Sequence, residues 1–179
     1  MLQIIQAETA EHIATARELF LEYAQSLGFS LCFQSFDEEL ASLPGKYGPP
    51  KGALLLAFVD GQPAGCVALR SLSNERIEIS ESDDTLQRFA CEMKRLFVRP
   101  GFRGQLVGRK LVDHIIEEAR RIGYTHMRLD TVADRMREAV ALYRTLGFRE
   151  IPPYTNNPMP HTLHMELALA PEKKEAATQ

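Results

Sequence analysis

Apolar positions along the chain fall into alternating blocks of strand-like and helix-like spacing. "LQIIQA" reads as a short strand, and from Thr9 or Ala10 the apolar residues Ile13, Ala16, Leu19, Phe20, Tyr23 and Leu27 recur at helical intervals until Gly28. "SFDEELASLPG" has Ser35 as an N-cap with Glu38 three residues on, which predicts a second short helix before Pro44. "ALLLAFVDGQPAGCVALRSL" predicts an antiparallel hairpin turning at Asp60-Gly61. "FACEMKRLFV" predicts a long strand, and Val107, Leu111, Ile115, Glu118 or Ala119 and Ile122 an amphipathic helix that stops at Gly123. "THMRLDTV" is the next strand, "DRMREAVALYRTLGF" a helix closed by Gly147, and "HTLHMELAL" the final strand after the loop "PPYTNNPMP". The polar, acidic stretch 73–87 reads as a surface loop and "PEKKEAATQ" as a disordered tail.

This order (one strand, two helices, three strands, then helix, strand, helix and strands) predicts an α/β fold of the α+β kind, a mixed sheet with helices on both faces. A chain of 179 residues suits one domain, here 1–170 with 171–179 as a tail. The formal net charge of −3 argues against nucleic acid as a partner, since any anion must be captured locally. Cys32, Cys66 and Cys91 are odd in number and widely spaced, which suits neither a disulfide framework nor a metal site and points to a reducing compartment. Apolar runs such as "ALLLAFV" are too short to span a bilayer, and the N-terminus lacks a signal-peptide pattern, so a soluble cytoplasmic protein without metal is expected.

The segment "RLFVRPGFRGQLVGRKL" carries the chemistry. A strand passing through a glycine-bearing turn into a helix presents unpaired N–H groups and the positive end of a dipole, which suit a phosphate. Lys94, Arg95, Arg99, Arg103, Arg109 and Lys110 add positive charge within a chain that is net negative. On spacing alone, Gly104 and Gly108 could equally serve only a tight turn and close helix packing. No G-K-S/T follows, which excludes a Walker loop, and no G-x-G-x-x-G follows an early strand.

"LFVRPGFRGQLVGRKLVDHII", followed after one strand by "AVALYRTLGF", resembles the GNAT superfamily of acetyl-CoA-dependent N-acetyltransferases. The family's cofactor motif, Q/R-x-x-G-x-G/A, falls on Arg103, Gly104, Gln105, Leu106, Val107 and Gly108. The resemblance in element order covers roughly residues 2–169. It implies acetyl-CoA as co-substrate, its pyrophosphate held by the N–H groups of this loop through Arg109 and its pantetheine arm paired with Leu96, Phe97 and Val98. Leu106 stands where the motif has glycine, and is expected to have helical φ and ψ, keeping the backbone contact. Met136 stands where many members have an asparagine, seven residues before the tyrosine.

The resemblance also implies that Tyr143 protonates the departing thiolate, although Met136, Val140 and Tyr143 also form an apolar stripe that could be plain core. Glu92 lies six residues before Val98, so even spacing predicts both on one face with Glu92 near the acetyl end, and the resemblance implies a general base at that spacing, as in some family members. The alternative is that Glu92 pairs with an arginine, and other members deprotonate through water. His161 and His164, three apart in a predicted strand, should face opposite ways. Cys91 points away from Glu92 and is not a nucleophile. Tyr154, Asn156 and Asn157 could line the acceptor groove, or be turn residues. The reading is transfer of acetyl to a primary amine of a small molecule by direct attack. Alternatives are a protein or peptide acceptor, and a non-catalytic acyl-CoA sensor; a homodimer through a sheet edge is consistent with such folds.

Overall fold

The computed structural model describes residues 1–72 and 90–169. The acidic stretch 73–87 and the tail 171–179 lie outside the described residues. Seven strands form one sheet: β1 (Leu2–Gln6), β2 (Ala53–Val59), β3 (Gln62–Ser71), β4 (Ala90–Val98), β5 (His126–Val132), β6 (Arg149–Ile151) and β7 (Thr162–Ala168). Their spatial order is β1-β2-β3-β4-β5-β7-β6, antiparallel throughout except for β4 against β5. A parallel pair needs a crossover, and α3 (Val107–Ile122) supplies it on one face. The other face is covered by α1 (Ala10–Leu27) and α2 (Phe36–Ser42), while α4 (Arg137–Thr145) follows β5.

Local chemistry accounts for most boundaries. Thr9 caps α1 by accepting a bond from the His12 N–H at 3.1 Å, and Gly28 ends it in the left-handed region. Asp60 and Gly61 both have positive φ, as the two-residue turn of a right-twisted hairpin requires. Ser35 departs from expectation: it precedes α2 with a left-handed backbone (φ 53°) and no side-chain cap bond, so the predicted capping box does not form. The short edge strand β6 had too few residues to give a periodic signal.

α3 buries Val107, Leu111, Val112, Ile115, Ile116 and Ala119 against Val67, Leu69, Cys91 and Met93. The opposite layer packs Leu19, Phe20 and Tyr47 against Leu54, Leu56, Cys66 and Phe97. Two cores on the two faces of one sheet match the layer order read from the sequence.

β4 breaks its own alternation. Arg95 takes a left-handed backbone (φ 59°), and β4 uses one residue more than β3 between the pairs Ala68↔Lys94 and Cys66↔Phe97. This is a β-bulge, and it reverses which face later side chains meet. Cys91 and Met93 sit in the α3 core, but Phe97 joins the α1 core and Val98 the α3 core. Glu92, opposite Arg70, therefore does not share a face with Val98, correcting the even-spacing expectation. Gly65 marks the same event, since a Cβ there would stand 2.4 Å from the Phe97 carbonyl oxygen.

The bulge is held by a buried clamp. Arg95 donates to both Glu39 oxygens, Nε to Oε1 at 2.9 Å and Nη2 to Oε2 at 2.7 Å, and Nη1 donates to Gln34 Oε1 at 2.8 Å. The Tyr47 hydroxyl completes Glu39 at 2.9 Å, and the Cys66 thiol donates to the displaced Arg95 carbonyl at 3.4 Å. Burial alone would raise the Glu39 carboxyl, but the hydrogen bonds and charge of Arg95 outweigh it and hold it below its ordinary 4.5. A depressed carboxyl contributes stability that is present above the unfolded value and lost as pH falls through the folded one. Glu39→Ala should therefore cost about 3–5 kcal/mol in denaturant unfolding at pH 7, because it leaves Arg95 uncompensated. The deficit against wild type should shrink as pH falls below about 4.

Candidate active site

β4 and β5 separate just before the bulge. Their pairing stops at Glu92↔Arg128, while β4 continues to Val98 and β5 to Val132. Leu96 to Val98 therefore present an edge toward β5 with no strand on it, in the interior of a sheet. A cleft of about 770 Å³ opens there, walled by Leu96, Phe97, Val98 and Phe102 on one side and Met136, Ala139 and Leu142 on the other. Its floor is the loop Arg103, Gly104, Leu106, Val107, Gly108 and Arg109. Gln105 is exposed and is not among the lining residues.

The loop delivers the donors expected of it, by another route. The chain is extended at Arg103 and left-handed at Gly104 (φ 77°) and again at Leu106 (φ 61°), where it turns into α3. The expected helical Leu106 is thus overturned: the motif's glycine position requires positive φ, and leucine occupies it at a cost of about 1–2 kcal/mol. The side chain is 68% exposed, so packing does not compel this strain. The first bond within α3 runs from the Lys110 N–H to the Leu106 carbonyl, leaving the N–H groups of Val107, Gly108 and Arg109 without helical partners. No side chain caps this end.

The positive charge around the loop is thinner than the sequence count. Arg95 is committed to Glu39, and Arg99 donates twice to Glu22, at 2.9 and 2.7 Å, and once to the Pro63 carbonyl. Arg103 and Arg109 line the cleft, Arg103 donating to the Val98 carbonyl at 3.2 Å and Arg109 to both Asp113 oxygens at 3.0 and 3.1 Å; Arg135, in the turn before α4, and Arg137, its first residue, join them and were missed by the sequence reading. Arg135 reaches toward the end of α1, with Nη1 3.4 Å from where a Cβ on Gly28 would stand.

The cleft continues into an inner chamber lined by Tyr23, Gln34, Lys94, Asp130, Thr131, Met136, Tyr143 and Asn157 together with apolar neighbours. Tyr143 is buried and tilted against Phe148, with ring centroids 5.6 Å apart. Burial, with Tyr23 and Asp130 adding to it, pushes its phenol well above the ordinary 10.0, so it carries its proton at neutral pH. Met136 accepts a contact from the Thr131 hydroxyl on sulfur at 3.4 Å. Asp130 accepts from Asn157 Nδ2 at 2.7 Å; a charged residue between Leu129 and Thr131 in an otherwise apolar strand was the signal that could have found it.

Glu92 is fully buried, receiving Arg70 Nε on one oxygen and the Tyr154 hydroxyl on the other at 2.9 Å. It is thus paired with an arginine, and it is not among the residues lining the inner chamber. Tyr154 stacks edge-on against His164 with Arg128 over its ring. Asn157 lines the chamber, whereas Asn156 is exposed and does not line it. His161 lies in the turn before β7 with φ 59°, so only His164 is in a strand, and it is buried. Cys91 faces the α3 core as expected, its thiol pushed up by burial.

The model of the Acetyltransferase (GNAT) family matches residues 13–148. The chain is 40% identical over 153 residues to an uncharacterized N-acetyltransferase of Schizosaccharomyces pombe, covering 85% of each. The chain belongs to the GNAT acetyltransferase family. Among solved structures, a Staphylococcus aureus GNAT-family acetyltransferase aligns with TM-score 0.71 at 20% identity over 95% of this chain and all of that one. A Salmonella typhimurium acetyltransferase, solved with its cofactor acetyl-CoA, aligns with TM-score 0.63 at 19% identity over 99% of both chains. This GNAT enzyme thus keeps the fold while replacing the motif glycine by leucine. Leu106→Gly should raise unfolding stability by about 1 kcal/mol, read by thermal denaturation, while Leu106→Ala should not, because only glycine is indifferent to positive φ.

Proposed function

We propose that this N-acetyltransferase moves the acetyl group of acetyl-CoA to a primary amine of a small molecule by direct attack. The observation that carries the reading is the cleft between β4 and β5, which runs from the α3 N-terminus to Tyr143. Its parts fit acetyl-CoA: free helix N–H groups with Arg103 and Arg109 for the pyrophosphate, and the unpaired edge of Leu96, Phe97 and Val98 for an amide-bearing arm. Acetyl-CoA supplies an activated acyl carbon.

The chain's residues then do three things. The narrow chamber holds the amine beside the thioester, so that the N–C bond forms as the C–S bond breaks. Tyr143, kept protonated by burial, gives its proton to the leaving sulfur. The proton shed by nitrogen leaves by way of water or a carboxylate. Glu92 can take that part only by loosening from Arg70 and Tyr154, so in this reading it chiefly holds Tyr154 and the acceptor-side wall in place.

Burial of both Cys66 and Cys91 in apolar layers, with their thiols pushed up, favours direct attack over an acyl-cysteine intermediate. Tyr143→Phe keeps the ring packing and removes the proton. It should lower kcat by about 10²-fold or more with acetyl-CoA affinity nearly unchanged, measured as release of CoA thiol and by calorimetry. Unchanged kcat would remove Tyr143 from the mechanism, and tight acetyl-CoA binding without CoA release from any amine would favour a sensor.

A further inference from the structure

On the acceptor side the side chains Lys46, Arg70, Lys94 and Arg95 lie close enough to influence one another, facing the carboxylates of Glu39, Glu92 and Asp130. The carboxylates are already served. Glu39 holds Arg95 and Tyr47, Glu92 holds Arg70 and Tyr154, and Asp130 holds Asn157. Four cations face three carboxylates, so one positive charge is in excess, and the two lysines are the cations held least closely. Lys94 Nζ is 3.9 Å from both Glu92 Oε1 and Asp130 Oδ1, and Lys46 Nζ is 3.9 Å from Glu39 Oε2. At these separations each ammonium is ion-paired with a carboxylate but makes no hydrogen bond to one among the described residues.

For Lys94 this matters most, because its side chain is only 10% exposed and lines the inner chamber. A largely desolvated ammonium that is ion-paired but makes no close hydrogen bond keeps donor capacity that a bound anion can use. Lys46, half exposed beside it, is lowered by burial and by Arg70, Lys94 and Arg95, with only Glu39 opposing, as befits a locally cationic spot. Asp130, the one carboxylate among the chamber-lining residues, stands next to Lys94 and is close enough to influence Tyr143.

We propose that Lys94, with Lys46 adding positive charge from outside the chamber lining, binds an anionic group on the acceptor, so that the preferred substrate is an amine that also carries a carboxylate, as an amino acid does. Asp130 faces the amine end and Lys94 the carboxylate end, and the opposed charges orient nitrogen toward Tyr143. The inference rests on the proposed small-molecule reading and adds its substrate class.

The test uses the full chain and matched sets of acceptors: amino acids, their carboxamides and their decarboxylated amines, read as free CoA thiol. The carboxylates should exceed their carboxamides in kcat/KM by about tenfold or more, which one charge-assisted contact can supply. Lys94→Gln should reduce that ratio at least tenfold, and Lys46→Gln, at a half-exposed position that should not disturb folding, should reduce it in the same direction. Acetyl-CoA affinity, measured by calorimetry, separates the sites: an equal loss in Lys94→Gln would assign the lysine to the cofactor and overturn the inference. Turnover of neutral amines alone would overturn this inference and leave the proposed function standing. Bound acetyl-CoA with no turnover of any member would overturn both.

Discussion

The contact on which the site depends is the bidentate bond between Arg95 and Glu39. A non-glycine residue at φ 59° in mid-strand is unfavourable, and it persists only where its surroundings over-determine it. Here they do so from every side: Glu39 and Gln34 take the guanidinium, Tyr23 and Phe36 place rings within 5.9 and 5.3 Å of it, and Cys66 takes the displaced carbonyl. Hydrophobic residues could fill such a space with comparable stability, so the ion pair is better understood through what it fixes. It ties α2 to the one position where β4 changes face. The pairing of β4 with β5 ends at Glu92, and the change of face that follows sets which side chains of β4 line the cleft between them.

The second strained residue lies at the other end of the same cleft. Leu106 adopts the backbone of a glycine, and its side chain is exposed, so neither burial nor a cap offsets the strain. What the conformation gains is the start of α3 at Val107, with three N–H groups facing outward from the turn and Gly108 close to Val98, where a Cβ would meet Val98 Cγ2 at 3.5 Å. Two local violations of backbone preference therefore bracket one cleft. Strain at Arg95 is held by its buried partners, strain at Leu106 is not offset by packing, and the two residues stand at opposite ends of the opening in the sheet.

Much of this was legible in residues. The hairpin at Asp60-Gly61, the amphipathic α3 and the layer order followed from periodicity and turn chemistry, because those signals are local. The bulge was not legible: "EMKRLFV" reads as an unbroken strand, and only the pairing of Arg95 with a carboxylate 56 residues earlier makes it bend. That single missed residue carried an error forward, putting Glu92 and Val98 on one face. Counting arginines near the loop failed for the same reason, since Arg95 and Arg99 were claimed by Glu39 and Glu22 from distant helices. Leu106 failed differently. The motif's glycine was a statement about φ, and a substitution by leucine was read as a change of conformation when the chain kept the conformation and bore the strain.

The same distinction between near and distant partners separates the carboxylates. Glu92 and Asp130 both come from strands at the point where β4 and β5 part, and both are nearly buried. Glu92 has an arginine and a phenol on its two oxygens, so both oxygens are already engaged by donors. Asp130 has one neutral amide and a lysine at 3.9 Å, and it lines the chamber that Tyr143 also lines. Under the proposed direct attack, Asp130 or water beside it is thus better placed than Glu92 to receive a proton shed near Tyr143. The resemblance suggested Glu92 as a base, but its two oxygens are engaged by Arg70 and Tyr154, whereas Asp130 lines the chamber that Tyr143 lines.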